Sequence, residues 1–143
     1  MHVNVTRLNP SVLLPAHGSA GAAGFDLAAA EDCLVPPGAI RLIGTGLVIK
    51  VPEGHFLAIF ARSSTPLKRG LIVANGVGVI DPDYCGPTDE VKIQVLNVTA
   101  EPVAVSRGDR IAQGIVLAAP RVEWKEAPAT SAHSRGGFGS TGA

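Results

Sequence analysis

The run GVGVIDPDYCGPTDEV, residues 76–91, carries two carboxylates two positions apart, Asp81 and Asp83, at the end of an apolar stretch. A carboxylate at a strand end can take a proton from a water as that water attacks; both residues also suit a turn. ARSSTP (61–66) follows a strand-like run and opens a helical turn. There, free N–H groups, the hydroxyls of Ser63 and Ser64 and the Arg62 guanidinium can cradle a phosphate. The same residues also read as an N-cap beside a solvated arginine. SRGGFGSTG (134–142) combines Arg135, Phe138, the hydroxyls of Ser140 and Thr141 and glycine-freed amides, either to fold over a planar anion or to stay disordered. AGFDL (23–27) sets Asp26 inside an apolar strand, where a carboxylate needs a partner, a cation or solvent. RGDRIAQG (107–114) reads as a turn held by Asp109, with Gln113 facing a pocket, in preference to an adhesion tripeptide.

These side chains need a frame, and the composition indicates which kind. The chain has 143 residues, enough for one domain with a real core, and 46% of them are apolar. Seventeen glycines, 11 prolines and only 4% aromatics favour short strands and frequent turns over long helices. Apolar or alternating runs at 2–8, 24–30, 39–51, 56–62, 71–80, 90–99 and 111–119 are punctuated by PPG, PEGH and SRGD. That spacing predicts an all-β sandwich, jelly roll or barrel. Only SSTPLKRG (63–70) invites a helical turn, with a Ser or Thr cap, Pro at the first helical position and Gly70 closing it. Residues 1–127 are expected to form the β-rich domain and 128–143 a flexible, Gly-rich arm.

Several classes of partner are not expected of such a chain. Twelve basic residues balance 12 acidic ones, which leaves no basic stripe for nucleic acid. Nothing at the N-terminus reads as a signal peptide, and no apolar run approaches the ~18 residues of a membrane span. A cytoplasmic protein without a membrane partner is the expectation. Cys33 and Cys85 show no metal-ligand spacing and read as free thiols.

Taken in order, AGFDL, ARSS, NGVGVIDPDY (75–84), RGDRIAQ and GGFGSTG resemble the five motifs of the homotrimeric deoxyuridine triphosphatase (dUTPase) family. The resemblance runs from about Gly18 to Gly142. It implies a jelly-roll-like β-clip subunit and a homotrimer with three shared active sites. Each site takes the first, second and fourth motifs from one chain, the third from a neighbour and the arm, as a lid, from the third chain. The implied reaction is Mg²⁺-assisted attack of water on the α-phosphorus of dUTP, giving dUMP and pyrophosphate. Such an enzyme keeps uracil out of DNA and supplies dUMP for thymidylate synthesis.

By the same resemblance Asp81 is the base and Asp83 a turn residue. Asn75 and the backbone around Val79 and Ile80 read uracil, with a further base contact from Lys92. Tyr84 packs on the deoxyribose and leaves no room for a 2′-hydroxyl. Arg62, Ser63, Ser64 and Gln113 face the phosphates, and Asp26 reaches the phosphate-bound Mg²⁺ through a coordinated water. In the arm, Phe138 covers the base, while Gly137, Gly139, Ser140 and Thr141 line the phosphates.

The chain departs from the family pattern in three places. Ser64 stands where a glycine is usual. Residues 87–89, PTD, lengthen the third motif, with Cys85 where the family often has Arg. His133 occupies the place of the usual arm arginine, so Arg135 is assigned the γ-phosphate contact. Arg-Ser-Ser also occurs in dCTP deaminases of the same fold, but those need a glutamate as proton shuttle where this chain has Gln94. An amide cannot take and return a proton. A binding protein on the same trimer would be expected to lose the base or the lid, and a purely structural jelly roll would need none of the motifs.

Overall fold

A computed structural model describes residues 1–128, 131, 133, 134, 136 and 137. Among them the chain is all-β apart from one short helix. In order, the elements are β1 (Asn4–Arg7), β2 (Ala16–His17), β3 (Phe25–Ala28), β4 (Cys33–Val35), β5 (Ile40–Gly44), β6 (Leu47–Lys50) and β7 (His55–Ala61). Then follow α1 (Ser64–Arg69), β8 (Leu71–Val73), β9 (Gly78–Ile80), β10 (Lys92–Asn97), β11 (Val103–Val105) and β12 (Arg110–Ala118).

A five-stranded sheet in the order β2-β3-β12-β7-β9 carries the residues of most interest. A three-stranded sheet, β5-β10-β8, and the pairs β1-β6 and β11-β4 complete the frame. The alternation in KIQVLN becomes β10, with Ile93, Val95 and Asn97 buried and the intervening residues more exposed. Ile93 and Val95 join Leu27, Ile43, Leu57, Ile59 and Ile111 in one apolar core. Asn97 is tolerated inside because its amide donates to Val35 O and Glu101 O, at 2.9 and 2.8 Å, and its oxygen accepts from Thr99.

The run 39–51 is two strands, not one. Gly46, at φ +66°, turns the chain between β5 and β6. The run 71–80 is likewise split by Asn75-Gly76, where Gly76 has φ +73°. In α1, Ser63 is the cap, without a side-chain capping bond, and Pro66 is the third helical residue instead of the first. Gly70 ends the helix in the left-handed region as expected. Beyond β12, residues 119–127 form no strand or helix, and Trp124 is 92% exposed there. No described helix is long and apolar enough to cross a membrane.

Candidate active site

The register of three neighbouring strands assembles a cationic cluster. β3 lies against β12 with Asp26 opposite Gln113, and β12 lies against β7 with Ala112 opposite Ala61. Arg62, the next residue after β7, therefore emerges beside Asp26. In a regular strand Arg110 and Gln113, three apart, would point to opposite faces. The pairing shifts between Arg110 and Ala112, and that bulge turns Arg110 toward Asp26 as well.

Asp26 accepts from both arginines: Arg62 Nε lies 2.7 Å from Oδ1 and Arg110 Nη1 lies 3.0 Å from Oδ2. Arg62 Nη1 also donates to the Arg110 carbonyl at 3.0 Å, which fixes the two guanidiniums relative to one another. The Gln113 amide donates to Ala61 O at 3.0 Å and so anchors the residue just before Arg62. The partner that Asp26 requires in its strand is thus a pair of arginines.

Helix α1 closes the other wall. Buried Thr65 donates to Ile111 O at 3.1 Å, tying the helix to β12. Arg69 Nη1 sits 2.6 Å from Asp109 Oδ2, the same oxygen that accepts from Ser106 N at 2.9 Å. A cavity of about 390 Å³ results, lined by Arg62, Ser64, Thr65, Lys68, Arg69 and the turn 108–110. Four cations, Arg62, Lys68, Arg69 and Arg110, stand there against the two carboxylates Asp26 and Asp109, an excess of two positive charges. Such a cavity suits a polyanion. Ser64, the first helical residue, faces it, while Ser63 is exposed.

The Arg69 hydrogen bond holds the Asp109 carboxyl below its ordinary pKa, with help from Ser106 N–H, and the same bond raises Arg69. A lowered carboxyl stabilises the fold fully above the ordinary Asp value of about 3.9. That contribution is lost as pH falls through the lowered folded value. Arg69→Met should therefore melt below the wild type at neutral pH, with the gap narrowing under about pH 4. Calorimetric melts across that range check this; a gap that stays constant would contradict it.

The third-motif residues lie elsewhere. Asn75 is exposed in the turn before β9, Val79 is exposed on β9 and Ile80 is half-buried beside it. Asp81, exposed, follows Ile80, which pairs with Leu57 near the start of β7. Arg62 lies five positions beyond Leu57, about 16 Å along an extended strand. One chain thus brings together Asp26, Arg62, Ser64 and Gln113, and separates them from Asp81. Tyr84 donates to Glu90 O at 3.3 Å, and Lys92 Nζ lies 3.7 Å from Glu90 Oε2. Arg135, Phe138, Gly139, Ser140 and Thr141 lie outside the described residues, and Gly137 has open space around its Cα.

Arg110, Lys68 and Arg69 join the site without a motif role of their own. Their signal was present, since Arg110 stands inside RGDRIAQ and the other two inside SSTPLKRG. As for a metal, no group of three or more His, Cys, Asp or Glu is placed to hold an ion among the described residues. The single carboxylate Asp26, its oxygens facing arginines, fits an Mg²⁺ carried on phosphates and not one held in a protein cage.

Residues 11–142 match the dUTPase family model. The deoxyuridine 5'-triphosphate nucleotidohydrolase of Wolinella succinogenes is 42% identical over 144 residues, covering 99% of this chain and 95% of the relative. That of Methylocella silvestris is 45% identical over 136 residues, covering 91% and 83%. A crystal structure of dUTPase from Streptococcus mutans superposes with a TM-score of 0.79 at 34% identity, covering 87% of this chain and all of the other. The Staphylococcus bacteriophage 80alpha dUTPase with dUPNHPP gives 0.86 at 23% identity over 99% of both chains, a likeness of fold alone.

Proposed function

The chain belongs to the dUTPase family of dUTP-hydrolysing enzymes, and from that premise we propose a reaction, a residue assignment and an assembly for it. dUTP is cleaved to dUMP and pyrophosphate by water attack on the α-phosphorus. The reading is carried by the cavity in which Asp26 and Asp109 hold three arginines, with Lys68 beside them, around Ser64. Fixed cations of this kind stabilise phosphoryl charge without reorganising during the reaction.

Arg62, Ser64, Gln113 and the additional Arg110 and Lys68 bind the phosphates, with Ser63 beside them. Gln113 uses one amide hydrogen on Ala61 O and keeps a second for a phosphate oxygen. Asp81 takes the proton of the attacking water. Asn75 and the backbone of Val79 and Ile80 read uracil, Lys92 adds a base contact, and Tyr84 lies against the deoxyribose. Bound Mg²⁺ would neutralise triphosphate charge, with Asp26 holding one of its waters.

The sites are shared among three copies of the chain. What supports this is the separation of Asp81 from Arg62 along β7, which leaves one chain's base far from its own phosphate cavity. The arm supplies Arg135, Gly137, Phe138, Gly139, Ser140 and Thr141 to close the site. The product serves thymidylate synthesis, and removal of dUTP keeps uracil out of DNA.

The test is pyrophosphate release with Mg²⁺ from dUTP, dCTP, dTTP and UTP at equal concentration, with each nucleoside product identified. Release from dUTP alone, yielding dUMP, is expected. A uracil product from dCTP would overturn the assignment, and it would do so despite Gln94 on β10, which pairs with Leu42 of β5. Absence of turnover with all four would equally overturn it.

A further inference from the structure

We propose that Glu90 is a positioning residue for sugar selection, holding the lengthened turn after Asp81 so that the Tyr84 ring cannot yield. This rests on the assignment of Tyr84 to the deoxyribose. The turn closes on itself through its extra residues. Asp89 Oδ2 accepts from Gly86 N at 2.6 Å, Asp89 N donates back to Gly86 O at 3.1 Å, and Glu90 N donates to Thr88 O at 2.8 Å. A Cβ on Gly86 would stand 2.9 Å from that Asp89 oxygen, so the glycine is what admits the contact.

Glu90 then fastens the turn to the body of the sheet. Its side chain, 20% exposed, accepts from Gly46 N at 2.7 Å through Oε1. A Cβ on Gly44 would lie 2.5 Å from the same oxygen, so Gly44 leaves the notch that the carboxylate fills. The next residue is pinned as well: Val91 N donates to Leu47 O at 2.8 Å, and Thr45 Oγ1 donates to Val91 O at 2.6 Å. Tyr84 is held at its backbone, where its N–H donates to Asp81 O at 3.2 Å, and at the tip of its side chain, where its hydroxyl donates to Glu90 O at 3.3 Å. The carbonyl that receives the phenol therefore belongs to the residue seated in the Gly44–Gly46 notch.

Steric refusal of a single hydroxyl works only if the refusing group is stiff, because a pocket that relaxes discriminates weakly against one added oxygen. Loosening Glu90 should then admit ribose while leaving the phosphate cavity and Asp81 as they are. In Glu90→Ala the ratio of kcat/KM for dUTP to that for UTP is expected to fall about tenfold, the effect of losing one charge-assisted bond. The rise in UTP turnover accounts for most of that change. Glu90→Gln keeps an acceptor for Gly46 N–H and should restore most of the ratio. Asp89→Ala loosens the same turn without touching the notch, so it carries the test if Glu90→Ala does not fold, and its ratio should fall too. An unchanged ratio in folded variants, or an equal loss with both nucleotides, would overturn the inference while leaving the proposed function standing. A wild type that cleaves UTP as readily as dUTP would overturn both.

Discussion

Asp81→Asn is expected to lower kcat by about 10²–10⁴-fold, the usual contribution of a general base, while nucleotide binding stays close to wild type. The substitution keeps the size and shape of the side chain and removes only its capacity to take a proton. Asp81 is exposed at the end of β9, so no buried contact is lost. Its backbone carbonyl, which accepts from Tyr84 N, is unaffected. Steady-state turnover together with calorimetric titration of a non-hydrolysable dUTP analogue separates the two effects. Asp83→Asn is the internal comparison: Asp83 is also exposed, and its carbonyl accepts from Cys85 N as a turn requires. Wild-type turnover in Asp81→Asn would remove the base from Asp81.

Ending the chain after Ala132 should leave the fold intact and reduce kcat/KM for dUTP by about a hundredfold or more. The lower bound follows from the losses involved: one aromatic stack on a base at ~1–3 kcal/mol and one charge-assisted bond of similar size. Among the described residues the buried apolar core ends at Ala112, with Val116 packed against it, and the last strand ends at Ala118, so the folding apparatus lies upstream of the cut. Unchanged circular dichroism and melting temperature with impaired hydrolysis is the expected combination. Full activity would deny the arm its role as a lid.

How far the sequence discloses this arrangement depends on the length of each element. β7 and β10 are legible because each is long enough for apolar periodicity to register, and α1 because Gly70 stops it. β2, β4 and β11 span two or three residues, too few for any period, and their identity comes from partners distant in the chain. The break at Gly46 is hidden within an apolar run, whereas Asn75-Gly76 is itself a turn signal that divides the run 71–80.

The cationic cavity is legible only in half. Arg62 and Ser64 stand in motifs, yet Arg110 depends on a bulge that reverses the facing expected from residue parity. The pairing of Asp26 with two arginines was equally out of reach, since it requires three strands to be aligned first. The separation of Asp81 from that cavity is a matter of register between β7 and β9, which no single segment encodes.

The chain has one tryptophan, and it stands on the segment after β12, almost wholly in solvent, while the core is aliphatic. Indole emission therefore reports on that segment and not on the interior. A denaturation curve followed by tryptophan fluorescence would be nearly silent about the loss of the sheets, which must be followed through the backbone. The same isolation makes Trp124 a built-in optical label at the root of the arm, placed where any surface that comes to cover it will shift its colour.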